Sequence, residues 1–111
     1  MAEPTLQQVF GPGATQDATT LTIHKTDFAA LGLKPEASNT AESLLVAILL
    51  KAQERLTNDA FNGDLNQSVY VDRGFSSFIN RGENNTSYRS DQLTVTLAKV
   101  DSQTTLNPAD Y

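Results

Sequence analysis

The sequence contains no cysteine, which excludes disulfides, iron–sulfur clusters and zinc-thiolate sites. It is also poor in basic charge, with eight Lys and Arg residues against thirteen Asp and Glu residues and a formal net charge of −5. A surface that binds nucleic acid needs clustered Lys and Arg to displace counterions from the phosphates. We therefore expect no nucleic-acid partner.

Long apolar runs are missing as well. The longest continuous apolar stretch, residues 44–50, is far shorter than the roughly 20 residues that span a bilayer. Residues 1–20 also lack the basic start and apolar core of a secretory signal. These absences predict a soluble protein that has no membrane partner and is located in the cytoplasm.

The residue types of catalysis are scarce. The single histidine, His24, alternates with Leu21 and Ile23, which is typical of the solvent-facing side of a strand. No spacing brings a serine, a histidine and an aspartate together, and no Gly-x-Ser-x-Gly elbow is present. We therefore predict no catalytic residues, no cofactor-binding residues, no cofactor and no enzyme activity.

One stretch resembles the start of a calcium loop, with Asn62, Asp64 and Asn66 at alternate positions. The glycine required at the sixth position is Gln67, and the glutamate required at the twelfth is Arg73. We interpret the three residues as turn formers and predict no metal-binding residues.

With 111 residues, the chain fits a single domain. We predict an N-terminal arm over residues 1–18, one α+β domain over residues 19–100 and a polar C-terminal arm over residues 101–111. The arm at the start has a possible short helix, because Leu6, Val9 and Phe10 follow helical spacing. An isolated turn is unstable, so these side chains need a partner surface.

The most apolar segment, residues 39–56, predicts a long helix with Asn39 as its N-cap. One apolar arc is expected to face the core, and the opposite face, with Ser43, Ala47, Lys51 and Glu54, is expected to be solvated. The predicted arc consists of Ala41, Leu44, Leu45, Ile48, Leu49, Ala52 and Leu56.

Val46 and Leu50 lie outside that arc, so they require a second covering surface. Either the N-terminal turn or the short helix after residue 25 covers them within one subunit, or they contribute to a subunit interface. The candidate interface residues are Leu6, Val9, Phe10, Val46 and Leu50.

The remaining strands are predicted at residues 19–25, 68–72, 75–80 and 86–99. The last strand alternates Leu93, Val95 and Leu97 with threonines. A repeated pattern, Asp72-Arg-Gly and Asn80-Arg-Gly, favours a turn at each site. Residues 75–80 also fit helical spacing. The predicted fold is α+β, with one long helix on a largely antiparallel sheet of about four strands, in the order strand, short helix, long helix, three strands.

Three stretches resemble a small protein family of cyanobacteria and their tailed phages. They are MAEPTLQQVFG at the start, SNTAESLLVAILLKA in the helix and QSVYV after it. The resemblance spans nearly the whole chain. It implies a structural or assembly component of phage type, with a virion as its location, and it assigns no catalytic residues.

The leading hypothesis is therefore a non-enzymatic interaction or assembly module that binds a protein partner or associates with itself. The alternative is a small-ligand-binding domain, or a minor enzyme, with a pocket between helix and sheet near Tyr70, Phe75 and Tyr88.

Overall fold

The computed structural model describes residues 3–100 and 105–111. The described part of the chain is α+β, with short helices and two antiparallel sheets of two strands each. In chain order the elements are α1 (Leu6–Phe10), β1 (Thr15–Gln16), β2 (Leu21–Thr22), a 3-10 helix (Lys25–Leu31), α2 (Ala41–Arg55), α3 (Asn58–Gly63), β3 (Val69–Arg81), β4 (Thr86–Leu97) and a second 3-10 helix (Pro108–Asp110).

The N-terminal helix α1 begins with a capping box. Thr5 is the N-cap: its hydroxyl accepts a hydrogen bond from the Gln8 amide, and the Gln8 side chain accepts one from the Thr5 amide. This reciprocal pair satisfies backbone donors that a helix start leaves open. The helix packs against α2, which gives its apolar residues a partner surface.

The first sheet is a small hairpin in which Thr15 pairs with Thr22 and Gln16 with Leu21. The boundary predicted at residue 18 falls inside this hairpin. The strand predicted over residues 19–25 is shorter than expected, because His24 becomes the N-cap of the first 3-10 helix.

The long helix α2 begins one residue later than predicted. Thr40 is its N-cap and accepts from the Ser43 amide at 3.1 Å. Asn39 instead accepts from the Glu36 amide and donates to the Lys34 carbonyl. These contacts close the preceding loop.

The buried side of α2 also differs from the predicted arc. Ala47, expected in solvent, is buried, whereas Leu45, expected in the core, is 56% exposed. The helix contacts α1, the first 3-10 helix and β3. Because these three elements approach it from different directions, they bury a different set of positions than a single sheet would.

The second sheet is a long hairpin in place of the predicted three-stranded meander. β3 continues through residues 72–74, where a turn was predicted, and contains an irregularity between Arg73 and Ser76. A Cβ added at Gly74 would lie 2.9 Å from the Gln92 Cβ. The absence of a side chain therefore permits close approach of β4 at a β-bulge, and the chain does not reverse there.

The second copy of the repeated pattern does lead into the hairpin turn. Gly82 has φ 84° and Asn85 has φ 49°, and the Asn85 amide donates to the Gly82 carbonyl at 3.2 Å. The predicted four-stranded sheet is therefore wrong: the described strands form two separate hairpins, because only the second pattern reverses the chain.

The two predicted outer strands pair directly with each other, whereas the meander predicted that residues 75–80 lie between them. Val69 lies opposite Leu97, Val71 opposite Val95, and Leu93 opposite Arg73. Val71 on this face is buried, and its amide donates to the carbonyl of Leu56, which follows α2, at 2.8 Å. The buried apolar residues of the described chain are few, namely Ala14, Phe28, Ala47, Ala52, Leu56 and Val71.

The predicted C-terminal arm lies partly outside the described residues, which resume at residue 105. At the end of the chain Tyr111 is half-buried, and the Lys99 ammonium lies 5.6 Å from the centre of its ring. Within the described part of the chain, no helix is both long enough and apolar enough to span a bilayer.

Candidate interaction surfaces

A groove separates α2 from the base of the long hairpin. It has a volume of about 450 Å³, within the range of about 300–1,000 Å³ of sites that bury small molecules. We call it the helix–hairpin groove. Its lining consists of Val46, Leu49, Leu50, Arg73, Asp91 and Leu93.

A second groove lies on the other side of the same helix residues. It separates α2 from the end of the first 3-10 helix and the loop after it, and has a volume of about 270 Å³. We call it the helix–loop groove. Its lining consists of Leu31, Gly32, Leu33, Ser43, Val46, Ala47 and Leu50.

Val46 and Leu50 therefore form an apolar ridge between two open grooves. Leu50 is half-buried, and Val46 remains 52% exposed within the subunit. The first 3-10 helix ends beside them at Leu31 but does not cover Val46. The two residues thus lie on accessible surface, and their role in an interface stays a prediction.

The other three candidate residues lie elsewhere. Leu6, Val9 and Phe10 are half-buried on α1, which packs against α2. Among the described residues, neither groove has an α1 side chain in its lining. Neither groove therefore includes the N-terminal set in its lining, and the shared interface of the five residues stays a prediction.

The distal half of the long hairpin carries a second apolar surface. We call it the hairpin tip and define it as Phe75, Phe78, Ile79 and Tyr88. Phe75 is 83% exposed and Phe78 is 76% exposed, and Ile79 and Tyr88 are also exposed. Isolated exposed apolar residues are normal, whereas several together on one projection make the tip a candidate interaction surface.

Strand pairing places the tip residues on both faces of the hairpin. Phe78 lies opposite Arg89, on the face that also carries Leu93 and Asp91 of the helix–hairpin groove. Ile79 and Tyr88 lie opposite each other on the other face. The tip therefore presents apolar side chains in two directions.

Polar side chains of β3 and β4 contact each other where the groove and the tip adjoin. The Ser76 hydroxyl donates to Oδ1 of Asp91 at 2.6 Å, and Nε of Arg89 lies 3.0 Å from the same oxygen. The hydrogen bond from Ser76, and after it that from Arg89, lowers the pKa of the Asp91 carboxyl below its ordinary value. Closer to the turn, the Arg81 guanidinium lies 5.0 Å from the ring centre of Tyr88.

The pocket predicted from Tyr70, Phe75 and Tyr88 does not form from those residues. Tyr70 stacks against Phe61 of α3, with ring centroids 4.8 Å apart. Phe75 and Tyr88 lie on the exposed distal half of the hairpin. A cavity between helix and sheet does exist, but its lining is that of the helix–hairpin groove.

Residues considered for chemistry have local structural contacts. His24 is exposed and occupies the N-cap position of the first 3-10 helix, where its backbone carbonyl accepts from the Asp27 amide at 3.1 Å. Nδ2 of Asn62 donates to Oδ1 of Asn58 at 3.1 Å, and Oδ1 of Asp64 accepts from the Asn66 amide at 2.9 Å. The Asp64 contact fits its interpretation as a turn former, whereas Asn62 lies within helix α3 and bonds to the residue one helical turn earlier.

The chain is extended for its size. The accessible surface is 8252 Å², whereas a compact monomer of 12.0 kDa exposes about 6,000 Å². The radius of gyration is 16.6 Å, compared with about 13 Å for a compact domain of 100 residues. The excess surface is thus about 2,200 Å².

Sequence reasoning missed the hairpin tip because it placed residues 75–80 in the middle of a sheet. A signal was present in the pattern itself. Phe75, Phe78 and Ile79 do not alternate with polar residues as they would in a strand with one buried face. Adjacent apolar residues on an exposed strand direct side chains to both faces.

Comparison of the chain with protein-family models, with curated proteins and with solved structures found no match. The resemblance to a family of cyanobacteria and tailed phages accordingly stays a prediction.

Proposed function

We propose that this protein is a non-enzymatic assembly module whose exposed apolar surfaces are covered by other protein subunits. The observation that carries the proposal is the excess of about 2,200 Å² of accessible surface over a compact monomer. A stable interface removes about 800 Å² from each partner. The excess is therefore large enough for at least one such interface.

The distribution of apolar side chains supports the same conclusion. Exposed Phe75 and Phe78 lie at one end of the long hairpin, whereas exposed Val46 lies on α2. Aromatic residues dominate the energetics of interfaces when they are enclosed by a partner. A two-stranded hairpin by itself is only marginally stable in water, so a partner that encloses the tip also stabilises it.

The expected location is that of the assembly: the cytoplasm, or a virion if the chain is a phage-type component. The resemblance noted from the sequence supports a structural component of this type.

Size-exclusion chromatography with light scattering tests the proposal on the purified chain over micromolar and higher concentrations. We expect a mass that rises with concentration above the subunit mass of 12.0 kDa. A constant mass of one subunit at every concentration would contradict self-association.

The helix–hairpin groove favours a second candidate function, the binding of a small ligand. The groove combines apolar Val46, Leu49, Leu50 and Leu93 with the charged side chains of Arg73 and Asp91, and such a mixture is common in ligand sites. A ligand of the native state raises the melting temperature by mass action. A thermal-shift screen of metabolites and nucleotides on the wild type and on Val46→Gln tests this candidate: a hit lost in the variant supports it, and no hit counts against it.

A further inference from the structure

We infer that copies of this chain associate head to tail, with the hairpin tip of one copy seated in the helix–hairpin groove of the next. The inference rests on the proposed function and names both the partner and the two surfaces that meet. The partner is a second copy of this chain.

The outer residues of the tip lie away from the groove of their own subunit. Arg73 lines the groove, and β3 continues from there through Phe78 and Ile79 to Arg81 at the hairpin turn. At a rise of about 3.3 Å per residue, Phe78 lies about 16 Å and the turn about 26 Å along the strand from Arg73, whereas Phe75 lies about 7 Å from it. Because the base of the same hairpin forms one wall of the groove, the tip projects away from it and needs another chain as its partner.

The two surfaces differ in shape and share an apolar character. The groove is concave and lined by Val46, Leu49, Leu50 and Leu93. The tip is a narrow projection that carries Phe75, Phe78, Ile79 and Tyr88. A groove of about 450 Å³ accommodates side chains of a projecting segment, and burial of an aromatic side chain removes about 150–250 Å² from water.

The surface excess is large enough for two different contacts on each subunit. A two-fold dimer uses the same patch on both copies and removes about 800 Å² from each. In a head-to-tail array each copy contributes a tip to one neighbour and a groove to the other, which removes about 1,600 Å² in total. The excess of about 2,200 Å² accommodates both contacts.

Charge does not oppose this arrangement. The groove carries Arg73 and Asp91, of opposite sign, and the distal hairpin carries Arg81, Glu83 and Arg89. Both surfaces therefore combine the two signs, and the contact does not place one block of like charge against another. Head-to-tail contacts of this kind generate closed rings when the rotation closes and open filaments when it does not.

Two variants separate the surfaces. The tip variant, Phe78→Thr with Ile79→Thr, removes apolar side chains from both faces of the hairpin and keeps residues that favour strands. The groove variant, Val46→Gln with Leu50→Gln, replaces the ridge with residues that favour helices. The matched control is Leu45→Gln, because Leu45 is 56% exposed on the same helix and does not line either groove among the described residues.

Circular dichroism first checks that each variant melts cooperatively. Val46→Gln alone replaces the double groove variant if the latter does not fold. Light scattering then measures the mass of the wild type, each variant and an equimolar mixture of the tip and groove variants.

We expect the wild type and Leu45→Gln to form species larger than a dimer, and each surface variant alone to remain a monomer. The mixture then forms a species of two subunits and no larger, because the intact tip of the groove variant binds the intact groove of the tip variant. Growth stops at that point, since the remaining tip and groove are both defective.

Other outcomes overturn the inference in distinguishable ways. Assembly of the tip variant alone would show that the groove of one copy contacts the groove of another. Assembly of the groove variant alone would show that the tip of one copy contacts the tip of another. Loss of assembly in Leu45→Gln would show that the contact lies on the part of α2 outside the groove. A wild-type monomer at every concentration would contradict the head-to-tail contact and self-association, and would leave a different protein as the partner in the proposed function.

Discussion

The backbone amide of Gly13 donates a hydrogen bond to Oδ2 of Asp27 at 2.7 Å. Asp27 lies in the first turn of the first 3-10 helix, and Gly13 follows α1. The contact therefore ties the N-terminal segment to the body of the subunit. The Gly11 residue packs against the same aspartate, since a Cβ added there would lie 2.7 Å from the Asp27 Cβ.

Gly11→Ala is expected to destabilise the subunit by more than backbone strain alone. Gly11 has φ 114° and ψ 157°, a region open essentially only to glycine that costs about 1–3 kcal/mol for a residue with a Cβ, and the added methyl collides with Asp27. Gly82→Ala is the matched control, because Gly82 has φ 84° and no atom within 4 Å of an added Cβ. Urea denaturation should show the larger loss for Gly11→Ala; equal losses would contradict the described packing.

The sequence did predict which residues of β3 and β4 share a face. Val69 and Val71 alternate with polar neighbours, as do Val95 and Leu97, and each pair shares one face of its strand as predicted. Alternation is a local property of a strand with one buried face. The faces therefore follow from the pattern, but the pairing of the two strands with each other does not, because the pattern predicted residues 75–80 between them.

The same reasoning failed at the repeated Asp/Asn-Arg-Gly pattern. Gly74 belongs to a bulge opposite Gln92, whereas Gly82 belongs to the hairpin turn. A glycine permits either structure, and the choice depends on whether a partner strand lies alongside. That partner is distant in sequence, so local composition could not decide between a meander and one long hairpin.

The candidate site was predictable only in part. The apolar residues of α2 extend beyond one arc of the helix, and this pattern identified Val46 and Leu50 as candidates. In the structure both residues line two grooves. Which residues line the other side of each groove, such as Leu93 and Leu31, depends on how the hairpin and the first 3-10 helix pack against α2. Helical periodicity does not contain that information.

Substitution of Gln67 is expected to destabilise the junction of α2, α3 and β3. The side chain is 3% exposed, and its Nε2 donates to the carbonyls of Thr57 at 3.2 Å and Val69 at 2.9 Å. Its Oε1 accepts from Arg55 at 3.1 Å. Gln67→Met keeps the length of the side chain and removes these bonds.

We expect Gln67→Met to lower the free energy of unfolding by about 2 kcal/mol or more, because buried carbonyls lose their donors. Gln16→Met serves as a control at an exposed position, where the change should stay within about 0.5 kcal/mol. Chemical denaturation measures both. Equal stabilities of the two variants would show that the Gln67 hydrogen bonds do not hold the junction.

The Asp17 carboxyl is expected to make the free energy of unfolding depend on pH in the acidic range. Its pKa is lowered from 3.8 to about 2, chiefly by hydrogen bonds from the backbone amides of Thr19 and Thr20. The unfolded chain then binds the proton more readily than the folded one. The contribution to stability is present above pH 3.8 and is lost as the pH falls towards about 2.

An NMR titration of the Asp17 carboxyl carbon measures this pKa directly. A midpoint at or above 3.8 would contradict the described turn. In parallel, the melting temperature of Asp17→Asn should fall less than that of the wild type over the same acidic range, because the asparagine does not titrate.

The central claim is that another protein subunit covers the hairpin tip, and hydrogen exchange of the wild-type chain tests it most directly. The measurement follows the amides of residues 75–80 and 86–90 at increasing protein concentration. We predict that their exchange slows as concentration rises, while exchange at the exposed control residue Leu65, 98% accessible, does not change. Exchange of the tip amides at one rate, independent of concentration, would contradict the account.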